Sequence, residues 1–471
     1  MSKEKVFLKN TTIIVAGKIC TQCVSFFLLP LYTAILSKRE YGIVDLINTY
    51  ITLLLPIISL QMEQGFFRFL IESRDDITKQ NNIFSTAFWG LSASNLLFLT
   101  VLVIGIILFD IPYGLFLITN ILISAYSSNL LGAARGLGFY SIYSIGSFLI
   151  GISTILFNIL FIVYFKMGVR GMLLAYFCAN FVGTIYCFIK LDSFAMLQKG
   201  KFTFKLYKEI LKYTLPLVPN TISWWIINAS DRTIISAILG VASNGIFSVA
   251  NKFSGVYITI YSLFNMTLTE NVVLYSKDED SKVFLVDIIN GYIRFFSCIC
   301  LGIIACMPFV FPYMVNNQFA DSYNQIPLLM LASMFNVLVG LCTTLYVANK
   351  KSTKIAKFSL ISAITNIVIN LCMIKFIGLY AASLSTCISY VLTTLMMYFD
   401  LKKIDEIIKV DFRYLSSFIV VMVVTLIVYY CGGIIFKAVI LLCICCYSIF
   451  SVRNYIKPLV NIVLNKIGRR G

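Results

Sequence analysis

The chain contains no histidine, and charged residues make up only 13% of its 471 positions, against about 25% in an ordinary soluble domain. Without histidine there is no His-containing metal cluster. None of the fourteen cysteines has paired metal spacing with a histidine. They fall almost wholly inside apolar runs, as with Cys20, Cys23, Cys298, Cys300, Cys443, Cys445 and Cys446. They read as small buried apolar residues rather than as disulfides or ligands. A Gly-x-x-x-x-Gly-Lys-Ser/Thr loop is missing, which argues against direct nucleotide hydrolysis. Neither a Gly-x-Ser-x-Gly elbow nor a soluble domain with paired carboxylates points to hydrolysis or glycosyl transfer. The longest inner loop, Lys190 to Lys212, is too short for a catalytic domain, and no large outer loop offers room for a polymerase site. No cofactor and no metal is called for.

What the chain has instead is apolar surface. Hydrophobic residues reach 59% and mean hydropathy is +0.89. They come in runs of about 20 to 28 residues, the length that crosses a ~30 Å hydrocarbon layer as helix. In lipid every backbone amide must be satisfied internally, so such runs are helices. The pattern predicts about fourteen of them, near 10–36, 42–63, 83–109, 113–134, 141–166, 168–190, 213–239, 245–272, 286–315, 324–348, 355–376, 378–400, 413–432 and 434–456. The first run continues through Leu29-Pro30-Leu31-Tyr32 and reads as an uncleaved span rather than a signal peptide. The seventh is the least regular, interrupted by Asn220, Asn228, Asp231 and Arg232.

Charge tests this count. With the N-terminus inside, only Lys38, Arg39, Lys166, Arg170, Lys375 and Lys437 fall in outer loops, while Arg68, Arg74, Lys79, Arg135 and most other basic residues fall inside. That asymmetry is the positive-inside pattern. It predicts both termini on the cytoplasmic side. The formal net charge of +17 then reflects orientation and attraction to anionic membrane lipid, and needs no nucleic acid.

An internal repeat underlies the helices. Ala34-Ile35-Leu36, Gly42-Ile43 and Asn48 recur as Ala237-Ile238-Leu239, Gly245-Ile246 and Asn251, at an offset of 203. Gly168-Val169 resembles Gly378-Leu379 at an offset drifted to 210. Parallel repeats of six helices, both starting inside, predict two bundles about an axis along the membrane normal. The expected division is an N-terminal lobe 1–200, a C-terminal lobe 201–402, and a terminal helix pair with a basic tail at 403–471. The fold class is therefore all-α integral membrane, two six-helix lobes around a central cavity plus two C-terminal helices.

Polar residues inside such runs are costly, roughly 2.5–3.5 kcal/mol for a mid-membrane charge, and normally face water or a partner. Lys18, Asp231, Arg232, Lys252 and Arg294 lie within or near the ends of spans, with Asp45, Glu63 and Glu270 within about a turn of an end. In the second run Asp45, Asn48, Thr49, Thr52, Ser59 and Glu63 share one face of a continuous helix. In its repeat partner Ser248, Lys252, Gly255, Thr259 and Ser262 do the same. The hydroxyls read chiefly as interhelical glue, and Lys18 and Lys252 as cavity lining. Asp231 and Arg232 point about 100° apart on a helix and do not pair with each other; each belongs either to a structural network or to a substrate contact. Arg294 is either a cavity cation or an anchor that snorkels to headgroups. The excess of buried cations over anions predicts an unneutralised positive cavity suited to an anionic cargo such as a diphosphate.

Several motifs carry a family resemblance. Phe27-Leu28-Leu29-Pro30-Leu31-Tyr32-Thr33, Glu40-Tyr41-Gly42 and Asp45-Leu46 resemble the opening of bacterial lipid-linked oligosaccharide flippases. These are the Wzx-type exporters of the multidrug/oligosaccharidyl-lipid/polysaccharide superfamily. Glu63-Gln64, Phe67-Arg68-Phe69 and Ala134-Arg135-Gly136-Leu137-Gly138 are similar too. So are Leu215-Pro216-Leu217-Val218-Pro219-Asn220, Ser223-Trp224-Trp225, Asn228-Ala229-Ser230-Asp231-Arg232 and Ser248-Val249-Ala250-Asn251-Lys252-Phe253. The resemblance covers about residues 8–275. One departure is Leu268-Thr269-Glu270, where members often carry Trp-Gln-Glu; only the acid is kept. The resemblance implies a non-enzymatic flippase of a bacterial inner membrane whose cargo is an undecaprenyl-diphosphate-linked oligosaccharide. It implies alternating access driven by a proton or sodium gradient, with Lys18, Arg68, Arg135, Arg232, Lys252 and Arg294 as candidate cargo contacts. Asp45, Asn48, Glu63, Asn220, Asp231, Asn251 and Glu270 are candidates for ion coupling or polar lining. The competing readings are a drug/ion antiporter or a peptidoglycan-precursor flippase on the same fold, and a membrane glycan polymerase.

Overall fold

The computed structural model describes residues 24, 26–275, 282–349, 351–403 and 411–467. Among the described residues every regular element is helical. Two compact units, Met1–Ser248 and Val249–Gly471, divide the chain.

In the first unit α1 (Leu29–Ile35) opens on Pro30, whose missing N–H costs nothing in a first turn. It is the last piece of the first expected span, the rest of which lies outside the described residues. Next comes α2 (Lys38–Ile58), started by a reciprocal capping box: Ser37 accepts from the Glu40 N–H while Glu40 accepts from the Ser37 N–H. There follow α3 (Met62–Glu72), α4 (Ile77–Phe109), α5 (Gly114–Gly136), α6 (Tyr140–Asn158) with a π-helical turn Ile159–Tyr164, and α7 (Gly168–Lys190). The short α8 (Ser193–Lys199) and α9 (Phe204–Thr214) lead to α10 (Leu217–Ile238) and α11 (Val241–Tyr275), which runs on past the unit boundary.

One sequence expectation is corrected here. The second run is not a continuous helix from 42 to 63. Leu60 and Gln61 both take left-handed backbone angles, φ 52° and 56°, which breaks the hydrogen-bond ladder after Pro56 and Ile58. Glu63 therefore sits in the first turn of a separate helix, off the face that Asp45, Asn48, Thr49 and Thr52 share. The core of this unit forms where α3, α4 and α5 meet, around Met62, Phe66, Leu70, Phe84, Leu91 and Leu130.

The second unit comprises α12 (Lys282–Met314), a 3-10 segment Asn317–Gln325, α13 (Ile326–Ala348), α14 (Ser352–Ile377), α15 (Tyr380–Lys402), α16 (Phe412–Cys431) and α17 (Ile434–Ile467). Helices α13, α14 and α15 pack as one group, and α16 and α17 pack on α12. Ion pairs tie both groups. Lys354 Nζ lies 2.7 Å from an Asp400 carboxylate oxygen whose partner oxygen accepts from the Tyr346 hydroxyl. The Arg294 guanidinium binds Asp411, the N-cap of α16.

Polarity in both units is inverted relative to a soluble protein. Asn120, Asn158, Asn366 and Asn370 are buried, whereas Leu97, Val101, Ile107, Phe109, Phe376 and Phe450 are exposed. Helices that turn apolar side chains outward over their length need hydrocarbon as solvent. Eleven of the described helical stretches are long and apolar enough to cross a membrane. The protein is a multi-span membrane protein. Helices α10 and α11, which carry Asn220, Asn228, Asp231, Arg232 and Lys252, fall outside that set.

Candidate functional site

The charged and polar residues of α2 meet those of α10 and the start of α11, all within the first unit. Three side-chain contacts hold α10 along α2 and the break that follows it. Gln61 Nε2 donates to Thr221 Oγ1 at 3.2 Å, Trp225 Nε1 donates to the Thr49 carbonyl at 3.0 Å, and Arg232 Nε lies 3.0 Å from Asp45 Oδ2. Asn244 completes the group from α11, its amide donating to the Gly42 carbonyl at 3.1 Å and to Asp45 Oδ2 at 3.4 Å. The Arg232 Nη1 donates to the Asn228 carbonyl one turn back.

Helix α11 can approach this closely because two glycines cross. A Cβ on Gly42 would fall 2.0 Å from the Val241 carbonyl oxygen, and one on Gly245 would fall 2.0 Å from the Lys38 carbonyl oxygen. The two contacts are mirror statements of each other: 42 and 245, like 38 and 241, differ by the same 203 positions as the repeated sequence. Positions that match at this offset thus touch reciprocally.

The Asp45–Arg232 pair corrects the expectation of an unneutralised buried cation at Arg232. Side-chain exposures are 13% and 19%, so both charges are largely out of water and each neutralises the other. The physical reason is desolvation: a buried charge without a counter-ion costs several kcal/mol, and α2 supplies the carboxylate. Asp231, beside it, is buried at 4% exposure and also has an interacting partner.

The remaining predicted residues scatter. Arg68 is exposed and pairs with Glu72 at 2.7 Å on its own helix. Arg135 ends α5 with its guanidinium over the Phe67 ring. Glu63 accepts from Gln64 beside it, Asn48 is half-buried and Asn220 exposed. In the second unit Lys252 and Asn251 are half-buried on α11; Lys252 is engaged by another group, and the Asn251 amide oxygen accepts from Ser254. Arg294 is not an unpaired cavity cation: it binds Asp411, reaches the Ser451 carbonyl and lies 4.6 Å over the Tyr414 ring. Lys18 and the Glu270 side chain lie outside the described residues.

Sequence reasoning missed Asn244 and Trp225 as partners of this seam, and Asp411 and Asp400 as counter-ions. Asp411 could have been found as an N-cap before an apolar run. A second feature of the first unit is a cavity of about 460 Å³ lined by Ile35, Leu36, Glu40, Ile162, Lys166 and Gly168 among others, beside the π-helical turn. Among the described residues no cluster of Cys, Asp or Glu could hold a metal ion.

Apolar-faced helices with ion pairs drawn between them describe a polytopic membrane protein. The chain belongs to the family of polysaccharide biosynthesis proteins, which matches residues 7–273. No curated protein sequence matches it. Among solved structures, the inward-facing conformation of a multidrug resistance MATE family transporter of the MOP superfamily is similar, with TM-score 0.67 at 12% identity, over 83% of this chain and 98% of that one. The lipid II flippase MurJ in an inward closed conformation is similar with TM-score 0.66 at 14% identity, over 97% of this chain and 99% of that one. An outward-facing MATE transporter gives TM-score 0.59 at 12% identity, over 86% and 96%. The fold is shared with these MATE transporters and with MurJ.

Proposed function

We propose that the protein is a flippase of the Wzx type, carrying an undecaprenyl-diphosphate-linked oligosaccharide from the cytoplasmic to the outer leaflet of a bacterial inner membrane. Fourteen spans with both termini inside, in lobes 1–200 and 201–402 followed by 403–471, complete the reading. The observation that carries it is the pairing of a family match to polysaccharide biosynthesis proteins with a fold that follows the lipid II flippase over 97% of the chain. The drug-transporter folds leave a larger share of this chain unmatched. That difference favours the lipid carrier over the antiporter.

Arg232 is the cargo contact the geometry supports best. A diphosphate presents two anionic groups to a guanidinium and binds it more strongly than a single carboxylate does. Binding at Arg232 would take the cation from Asp45, which is then free to accept a proton or a sodium ion. Cargo and coupling ion thereby compete for one buried pair. Lys252 and Lys18 are proposed as further cationic contacts, and Asp231, Asn48, Asn220, Asn251 and Glu270 as polar lining.

The test is depletion of the protein in cells that make the glycan. Lipid-linked oligosaccharide should accumulate on the cytoplasmic leaflet and surface polysaccharide should fall. If the lipid-linked intermediate keeps reaching the outer leaflet at the normal rate, this function is wrong.

A further inference from the structure

With Arg232 and Arg294 neutralised, the structure directs attention to a cation that is not. Arg135 stands in the last turn of α5, where Gly132 and Gly136 bring that helix against the backbone of α3. A Cβ on Gly132 would meet the Glu63 carbonyl oxygen at 3.0 Å, and one on Gly136 would meet Leu70 Cβ at 2.9 Å and the Phe67 carbonyl oxygen at 3.2 Å. This approach sets the Arg135 guanidinium 4.4 Å from the Phe67 ring centroid and 5.6 Å from that of Tyr143 on α6. Its Nε is sealed from solvent and meets no acceptor. Among the described residues no carboxylate pairs with it.

Arg74 arrives at the same helix end and adds charge without cancelling any. Its Nε donates to the Gly136 carbonyl at 2.7 Å, and its Nη2 to the Arg135 carbonyl at 3.0 Å and to the Tyr140 hydroxyl at 3.3 Å. The bond to the Gly136 carbonyl meets a need that a helix C-terminus leaves open, and the Arg135 carbonyl also accepts from the Gly138 N–H. The Arg74 bonds occupy that guanidinium and leave the Arg135 fork unused.

A guanidinium backed by aromatic rings keeps its in-plane N–H edge for an anion with two oxygens. Arg135 is half-buried, and a guanidinium partly withdrawn from water with no carboxylate beside it gains from an anionic partner. At the edge of a bilayer the abundant anions with that geometry are phosphates. We propose that Arg135, backed by Phe67 and Tyr143 and flanked by Arg74, is a phosphate-binding site at the inner rim of the first unit, separate from the Arg232 seam. It rests on the carrier reading above for its cargo, which would dock its diphosphate here before reaching Arg232. The same chemistry would hold the headgroup of an anionic phospholipid.

The experiment uses the full chain in nanodiscs of phosphatidylcholine, titrated either with undecaprenyl diphosphate or with phosphatidylglycerol, and read by native mass spectrometry of retained lipid. Arg135→Gln should weaken retention of at least one of the two about tenfold, the loss of one charge-assisted contact. Arg135→Lys, which keeps the charge and loses the fork, should fall between. Loss confined to phosphatidylglycerol makes the occupant a resident headgroup; loss of undecaprenyl diphosphate makes it the cargo. Wild-type retention of both lipids by Arg135→Gln overturns the site, as does failure of both lipids to bind the wild type. Arg232→Gln, run beside it, separates the two ideas: if it loses undecaprenyl diphosphate while Arg135→Gln loses neither lipid, the rim site falls and the carrier reading stands. Should Arg135→Gln not fold, Phe67→Leu removes the backing ring with the charge intact and should weaken retention by several-fold; no change there overturns the proposal.

Discussion

At the scale of single residues, Arg232 and Arg294 each come with a counter-ion. Asp45 and Arg232 answer each other across two helices, so removing one strands the other in a poorly hydrated place, at a cost of roughly 3–5 kcal/mol. Arg232→Met should lower the melting temperature of the purified protein markedly, and the double change Asp45→Leu with Arg232→Met should restore most of it. Transport should stay lost in the double variant. Recovered flux along with recovered stability would make the pair a mere structural tie. The Asp411–Arg294 contact carries a different prediction. The Asp411 carboxyl is held below the usual carboxylate range, first by the Tyr414 backbone N–H and then by Arg294. A lowered value means the carboxylate stabilises the folded state above its ordinary titration range, about pH 4, and that this contribution fades as the pH falls through the lowered value. Asp411→Asn should therefore melt a few degrees below the wild type at neutral pH, and the gap should close under acid. A gap that persists unchanged at low pH would show that the carboxylate charge contributes nothing.

At the scale of elements, glycine spacing decides which helices can touch. Gly42 and Gly245 allow α2 and α11 to cross with carbonyl oxygens where a methyl would sit. Gly42→Ala forces backbone apart, since the obstruction is a carbonyl rather than a movable side chain. It should cost on the order of 1–3 kcal/mol. Gly255→Ala, on the same α11 with nothing within 4 Å of the added carbon, should be neutral or slightly stabilising, as alanine favours helix. Thermal unfolding of the two variants in one detergent compares them directly; equal stabilities would contradict the crossing. The sequence repeat had already paired Gly42 with Gly245 by position, but repetition does not say that the equivalents face one another. The break at Leu60 and Gln61 was illegible for another reason. Neither residue type favours the left-handed region, so no local signal marks the end of α2, and periodicity ran through it to Glu63.

At the scale of the whole molecule, the outward apolar surface of α4, α14, α16 and α17 requires a bilayer, and the positive-inside pattern predicts its direction. A reporter that is active only outside the membrane should give signal when fused after Lys375 and none when fused after Lys402. The reverse pattern would invert the topology on which the inner rim assignment of Arg135 depends.

Hydrophobic run length and the distribution of lysine and arginine determined by themselves that this chain is a helical membrane protein and where most helices lie, because a lipid solvent leaves one way to satisfy a backbone and a fixed length to cross. The ordered polar motifs of the first 275 residues carried the family. Which of the charges drawn out of water are neutralised was decided by tertiary structure. Asp45 and Arg232 are 187 positions apart in sequence, and Arg294 and Asp411 are 117 apart. Only packing brings such groups within a few ångströms, where the cost of burying one charge is met by its opposite.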